Sequence, residues 1–265
     1  MIRDFVLASA KSLLFQIGCR GDEARYFALK GSLVRAAARR GLYERRYLAL
    51  LPSLVSPGSV AVDVGAHFGA YTHALANVVG PTGRVVAFEP LPPVAQQLIR
   101  SCARLRNVTI FEEAVSDQAD DSLELQMPAI GWNVPEPALA RASRAATGPV
   151  CATFRVRARP LDHHADVVEG ATFIKVDIEG HELSFLAGAR QIIETSRPVL
   201  QVESAGLMIQ RDAALAWLEA RNYVLFTFRG RRLHRAGLEA RLSLNVYLVP
   251  AERVPALPVF REVRS

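Results

Sequence analysis

The chain has 265 residues, half of them apolar, and a formal net charge of +6. Cys19, Cys102 and Cys151 are few, odd in number and widely spaced, which excludes a disulfide framework and a paired-cysteine metal site and fits a reducing compartment. The apolar stretch Phe5 to Ile17 is broken by Lys11 and falls short of the ~20 residues of a bilayer span, and no small-residue cleavage site follows it, so a cytoplasmic protein with no transmembrane segment is expected.

The positive charge is carried by arginine. Lysine occurs only at Lys11, Lys30 and Lys175. A compositional bias is the plain reading, and a surface attractive to phosphate or anionic lipid is the alternative. A lysine kept where arginine is otherwise preferred points to a need for its compact, titratable ammonium. Lys175 is the one placed where that matters.

Residues 1–52 read as a helical cap, rich in Ala, Leu and Arg and punctuated by Gly18, Gly21, Gly31 and Gly41. Leu29, Leu33, Val34 and Ala37 recur at helical spacing. Such a cap packs on the core. A substrate lid, a membrane-surface helix or a dimer contact giving a homo-oligomer are the sharper readings. Residues 53–265 read as the main domain.

From Ser59 the pattern changes. Ser59–Asp63 and Arg84–Glu89 are short apolar runs of the kind buried on both faces of a sheet. Tyr71–Val79 and Val94–Leu105 read as helices, the second with Pro92 and Pro93 at its start, where proline is tolerated. Asn107–Glu112 is a third strand. This alternation predicts a parallel sheet wound by right-handed crossovers, with helices on both faces. Ser122–Gln126 and Cys151–Arg157 alternate apolar with polar residues, as half-exposed strands do. Between them residues 128–149 read as a long inserted loop of Pro, Ala, Gly and Arg. The alternation resumes with strands at Ala171–Asp177 and Pro198–Glu203 and helices at Glu182–Glu194 and Ala213–Arg221. Tyr223–Phe228 and Leu242–Val249 then close the sheet as a hairpin.

In such a sheet, ligands bind beyond the carboxyl ends of the strands. The first strand ends in Asp63-Val-Gly65-Ala66-His67-Phe-Gly69, and Tyr71 and Thr72 open the next helix. Glycine allows a tight turn and a close backbone approach, and the helix start favours a carboxylate. The G-x-x-x-G spacing after an acid suits an amino acid with its ammonium better than a dinucleotide. Glu89, before Pro90, ends the second strand where a carboxylate accepts ribose hydroxyls. Glu113, with the backbone of Ala114, follows the third strand and is the candidate for a base edge.

Asp63-Val-Gly-Ala-His-Phe-Gly, Phe88-Glu-Pro90, Ala114-Val-Ser-Asp117, Leu161-Asp162 and Ile174-Lys-Val-Asp-Ile-Glu-Gly-His-Glu182 resemble the FkbM family of class I methyltransferases. The resemblance runs from about Ser59 to Glu203. It implies a Rossmann-like α/β fold, a seven-stranded and mostly parallel sheet with an antiparallel last strand. It implies S-adenosylmethionine as cofactor, bound by Asp63, Gly65, Ala66, His67, Gly69, Tyr71, Thr72, Glu89, Pro90, Glu113, Ala114 and Asp177. It also implies O-methylation of a hydroxyl on a sugar, glycan or secondary metabolite. Members commonly have Asn where this chain has His67.

Methyl transfer requires an acceptor oxygen held in line with the methyl group and a route for its proton. The fourth strand end presents Lys175, Asp177, Glu179 and His181, the candidates for catalysis. Lys175 and Asp177 are two apart on a strand and point to the same side. Asp177 either takes the hydroxyl proton or binds the donor's ammonium. Glu179-Gly180 also suits a plain turn and helix start. No metal is expected: His163 and His164 are adjacent and point apart, Asp162 reads as a hydrogen-bonding residue that fixes the way into the fourth strand, and an ion held by Asp177, Glu203 or Asp162 is a minor alternative. Arg229, Arg231, Arg232 and Arg235 read as a solvated hairpin tip, with recognition of a phosphate on the acceptor as the alternative. Aromatics are not interleaved with them, so nucleic acid is not expected as a partner. An NAD-dependent oxidoreductase on the same sheet, or a non-catalytic binding protein, are the competing functions. The missing G-x-G-x-x-G argues against the former.

Overall fold

A computed structural model describes residues 22–130, 134–135, 141–142, 150–229, 232–256 and 260–261. The sheet is built on the apolar runs. Val60–Val64 (β1), Arg84–Phe88 (β2) and Val108–Phe111 (β3) pair in parallel. Ala171–Val176 (β9) lies on the other side of β1, and Val199–Glu203 (β10) follows it, again in parallel. The crossover helices include Ala70–Val79, Pro92–Cys102 and Glu182–Gly188. The order in which strands are added therefore reverses at β1, which opens a crevice above the carboxyl ends of β1 and β9.

Asn245–Pro250 (β13) inserts antiparallel between β10 and Tyr223–Arg229 (β11). This is the antiparallel last strand expected. The sheet then exceeds seven strands. Arg232–Arg235 (β12) folds back on β11, and Phe260–Arg261 (β14) pairs with β12, giving nine strands in the order β14-β12-β11-β13-β10-β9-β1-β2-β3. β12 was concealed by its arginines, because Leu233 supplies its one fully buried apolar side chain. The arginine-rich tip thus belongs to a β11–β12 hairpin. Arg231 lies outside the described residues.

Strand residues alternate between two apolar layers. Val62, Val64, Phe88, Ile174, Val176 and Val202 pack on the side of Phe185, Ile193 and Leu218. Ala61, Val85, Phe173 and Tyr247 face Leu51, Leu54, Tyr71 and Leu75. Helices therefore cover both faces, as a sheet buried on both sides requires.

Between β3 and β9 the chain builds a second sheet. Ala114–Val115 (β4) pairs with Val150–Arg159 (β8), and β8 pairs antiparallel with Asp120–Ile130 (β5). Val134–Pro135 (β6) and Arg141–Ala142 (β7) also pair with β5. The described residues of the 128–149 stretch therefore extend this sheet, satisfying backbone groups that a bare loop would leave to solvent.

In the N-terminal part, Glu23–Arg39 (α1) is one unbroken helix, with the Asp22 carboxylate accepting the Arg25 N–H at 3.1 Å. Gly31 does not interrupt it. A Cβ there would stand 3.0 Å from the Phe68 ring, so glycine lets the helix settle on the core. The buried face is Tyr26, Phe27 and Gly31, joined by Leu91, Leu125, Met127 and Val156. Leu29 and Leu33, which recur at helical spacing, are 39% and 54% exposed. The aromatic pair fills the gap over Phe68 and turns the leucines outward. Residues 1–21 lie outside the described residues. Among those described, no helix is long and apolar enough to cross a membrane.

Candidate active site

The turn after β1 is shaped by what lies behind it. Gly65 has φ +73°, and a Cβ on it would fall 1.9 Å from the Asp177 carbonyl oxygen. No other residue fits there. Gly69, at φ +84°, starts the following helix against Leu98. The N–H groups of Gly65 and Ala66 donate to the Phe88 carbonyl, each at 3.0 Å, tying the turn to the end of β2.

Glu89 continues that tie. Its carboxylate accepts the His67 N–H at 2.8 Å and the Leu91 N–H at 3.0 Å. Burial pushes the Glu89 carboxyl up to about 7, against the pull of those two donors. His67 sits at φ +51°, a conformation in which Asn is also tolerated.

Lys175 is the centre of the floor. Its ammonium donates to the Gly65 carbonyl at 2.9 Å and lies 3.5 Å from Asp63 and 3.4 Å from Asp177. It also stands over the Tyr71 ring, 5.2 Å from the centroid. Burial acts to lower its pKa, but Asp177, Asp63 and Glu44 more than offset this and hold it above the ordinary lysine value. Asp63 is fully buried and accepts the Thr72 hydroxyl at 2.7 Å.

A cavity of about 290 Å³ opens above these groups. Gly65, Ala66, His67, Tyr71, Glu89, Pro90, Glu113, Ala114, Lys175, Asp177, Glu179 and His181 all reach its wall. Asp63, Gly69 and Thr72 stand behind it: the first and last bond to each other, and Gly69 packs on Leu98.

Several wall residues had no signal in the sequence. Val34, Tyr43 and Glu44 come from the N-terminal part, and Leu123 and Leu125 come from the second sheet. Ser116, Leu91, Glu203 and Leu244 also line it. Glu203, an acid at the end of a buried strand, was the one open to strand-end reasoning. Val34, Tyr43 and Glu44 therefore bring the N-terminal part to the cavity wall, a point the sequence left open.

Glu113 is paired. His164 Nε2 lies 3.2 Å from its carboxylate, and the imidazole packs on Phe88 and Phe111 with centroids 5.1 and 4.6 Å away. Burial lowers the His164 pKa, opposed by Glu113. This histidine packs beside a buried acid. Asp162 accepts the N–H groups of Gln191 and Ile192 at 2.9 and 3.0 Å. It thus caps the helix Arg190–Ser196 from across the fold, and fixes the entry to β9 through that helix. The carboxylates of Asp177, Glu179 and Glu203 approach within 4.8 Å of one another at the cavity wall. Glu179 takes φ +53° in the turn, and Gly180 follows at φ +99°.

A mainly parallel sheet with β13 inserted antiparallel between β10 and β11, and a glycine- and acid-lined cavity above β1, β2 and β9, define a class I methyltransferase fold. The family model for the methyltransferase FkbM domain matches residues 63–225, and the chain belongs to that family. Its membership removes the oxidoreductase alternative. Among solved structures, methyltransferase FkbM from Methylobacillus flagellatus KT is similar at a TM-score of 0.50 and 23% identity, over 90% of this chain and 52% of that one. The chain thus spans about half the length of that structure. A SAM-dependent O-methyltransferase from Thermotoga maritima is similar at a TM-score of 0.45 and 12% identity, over 78% of this chain and 65% of that one. Fibrillarin from Aeropyrum pernix, with natively bound S-adenosyl-L-methionine, gives 0.43 and 14%, over 77% and 73%. No curated protein matches the chain.

Proposed function

We propose that this methyltransferase uses S-adenosylmethionine to methylate a hydroxyl of a sugar, glycan or secondary metabolite. The observation that carries the reading is the buried Glu89 carboxylate fastened to the Gly65–Gly69 turn. A buried acid at the end of β2 suits a ribose diol, and the glycine turn leaves room for a ligand's backbone-like end.

The residues present fit that cofactor. Glu89 would accept the ribose hydroxyls, and Glu113 with the backbone of Ala114 would meet the base. The turn at Gly65, Ala66 and His67 would meet the amino-acid end. When bound, the cofactor supplies a methyl group already made electrophilic by its sulfonium. The chain's own residues then position an acceptor and move a proton. Asp177, oriented by Lys175, is the group proposed to accept the hydroxyl proton, with Glu179 and His181 on the same wall. The N-terminal part and the second sheet both reach the cavity, which supports acceptor choice residing in them.

Calorimetric titration with S-adenosylhomocysteine tests the donor. Saturable binding is expected, and none at several hundred micromolar overturns the reading. A labelled methyl donor offered with a panel of hydroxyl-bearing acceptors tests the transfer. Label on oxygen is expected. Label carried only to nitrogen or carbon overturns the O-methyl assignment.

A further inference from the structure

The N-terminal part delivers an acid to the cavity. Glu44 is half-buried, lines the wall, and adopts φ +44° and ψ +29°, the left-handed region that non-glycine residues enter at a cost. Its carboxylate accepts the Tyr71 hydroxyl at 2.7 Å, and that same hydroxyl oxygen accepts the Gln201 amide at 2.7 Å. The strained backbone and the bonded chain fix this carboxylate over the end of the site where Lys175 lies.

The charges there do not balance. Asp63, Asp177 and Glu44 all act on Lys175, so three carboxylates share one ammonium. Burial raises the Glu44 carboxyl, and Lys175 is the cation that acts to lower it. A second cation entering the cavity would find a formal surplus of negative charge. Asp63 is not positioned to receive one: it stands off the wall, engaged by Thr72 and Lys175. Glu44 and Asp177 both reach the wall.

We infer that Glu44 is the carboxylate that receives the ammonium of the donor's amino-acid end, so that the N-terminal segment is part of the donor site. This rests on the proposed use of S-adenosylmethionine. It gives Glu44 the ammonium-binding role that the sequence suggested for the acid before the glycine turn, and leaves Asp177 free to serve the acceptor.

The test compares two ligands by calorimetry. S-adenosylhomocysteine carries the amino-acid end, and 5′-methylthioadenosine has the same nucleoside and sulfur without it. Glu44→Gln keeps an oxygen for Tyr71 and removes the charge. It should weaken S-adenosylhomocysteine about ten-fold or more, as loss of a charge-assisted contact does, and leave methylthioadenosine as in the wild type. Glu44→Gly suits the positive φ and serves as a second variant with the same expectation, should the first fail to fold. An equal loss for both ligands, or no loss for either, overturns the inference. A wild-type chain that binds neither ligand overturns the proposed donor instead.

Discussion

Gly65 and Asp177 stand back to back: the space a Cβ on Gly65 would need is held by the Asp177 carbonyl oxygen, 1.9 Å away. The glycine at the end of β1 is thus required by the backbone that follows β9. Gly65→Ala combines that clash with a φ of +73°. It should lose several kcal/mol of stability or fail to fold, with mechanisms of this kind at the large end of single substitutions. Urea denaturation checks it. A variant as stable as the wild type would show that the turn tolerates a side chain.

Lys175 neutralises a fully buried Asp63 and orients Asp177. Lys175→Met should cost roughly 3 kcal/mol or more, because it strands a buried carboxylate. Adding Asp63→Asn should recover part of the loss. Denaturation curves of the single and double variants measure the coupling. Strict additivity would mean that the pair is not the source of the cost.

Glu89 gives a pH dependence with a defined sign. Its carboxyl is held at about 7 in the fold, chiefly by burial, against an ordinary value of 4.5. The folded state therefore binds this proton more tightly than the unfolded chain does. That contribution to stability is complete below about 4.5 and is lost as the pH rises through about 7. Relative to Glu89→Gln, the wild type should lose stability from about pH 5 to about pH 8. Affinity for S-adenosylhomocysteine should move the opposite way in the wild type if, as proposed, the ionised carboxylate is the acceptor of the ribose hydroxyls. Flat difference curves would place the Glu89 titration elsewhere.

Asp162 is a helix cap supplied from outside its helix. Asp162→Ala removes the acceptor of the Gln191 and Ile192 N–H groups. The expected cost is about 1 to 2 kcal/mol, with S-adenosylhomocysteine binding unchanged. A large change in binding at unchanged stability would instead put Asp162 in the site.

Much of this was legible in the residues. Val60–Val64, Arg84–Phe88 and Ala171–Val176 are mostly apolar runs, interrupted inside the sheet by the buried Asp63 and Lys175, as burial on both faces favours. Arg232–Arg235 was not legible, because a strand this short needs only Leu233 inward and can keep Arg232, His234 and Arg235 on its other positions. The buried face of α1 was not legible for a related reason. Helical spacing allows more than one stripe, and the choice between Leu29–Leu33 and Tyr26–Phe27 was made by the shape of the surface around Phe68.

The sequence by itself determined the order of the strands' chemistry: a glycine turn after Asp63, an acid at Glu89 and the Lys175–Glu179 group, each at the end of an apolar run. Local pattern suffices for that, since strand ends and turns are written in neighbouring residues. Only the tertiary structure decided which acids face the cavity. It placed Asp63 behind the wall with Thr72 and Lys175, and brought Glu44 forward onto Tyr71. The physical reason is that facing the cavity depends on contacts between segments far apart in the chain, and no local spacing encodes which of several carboxylates will be left to meet a ligand.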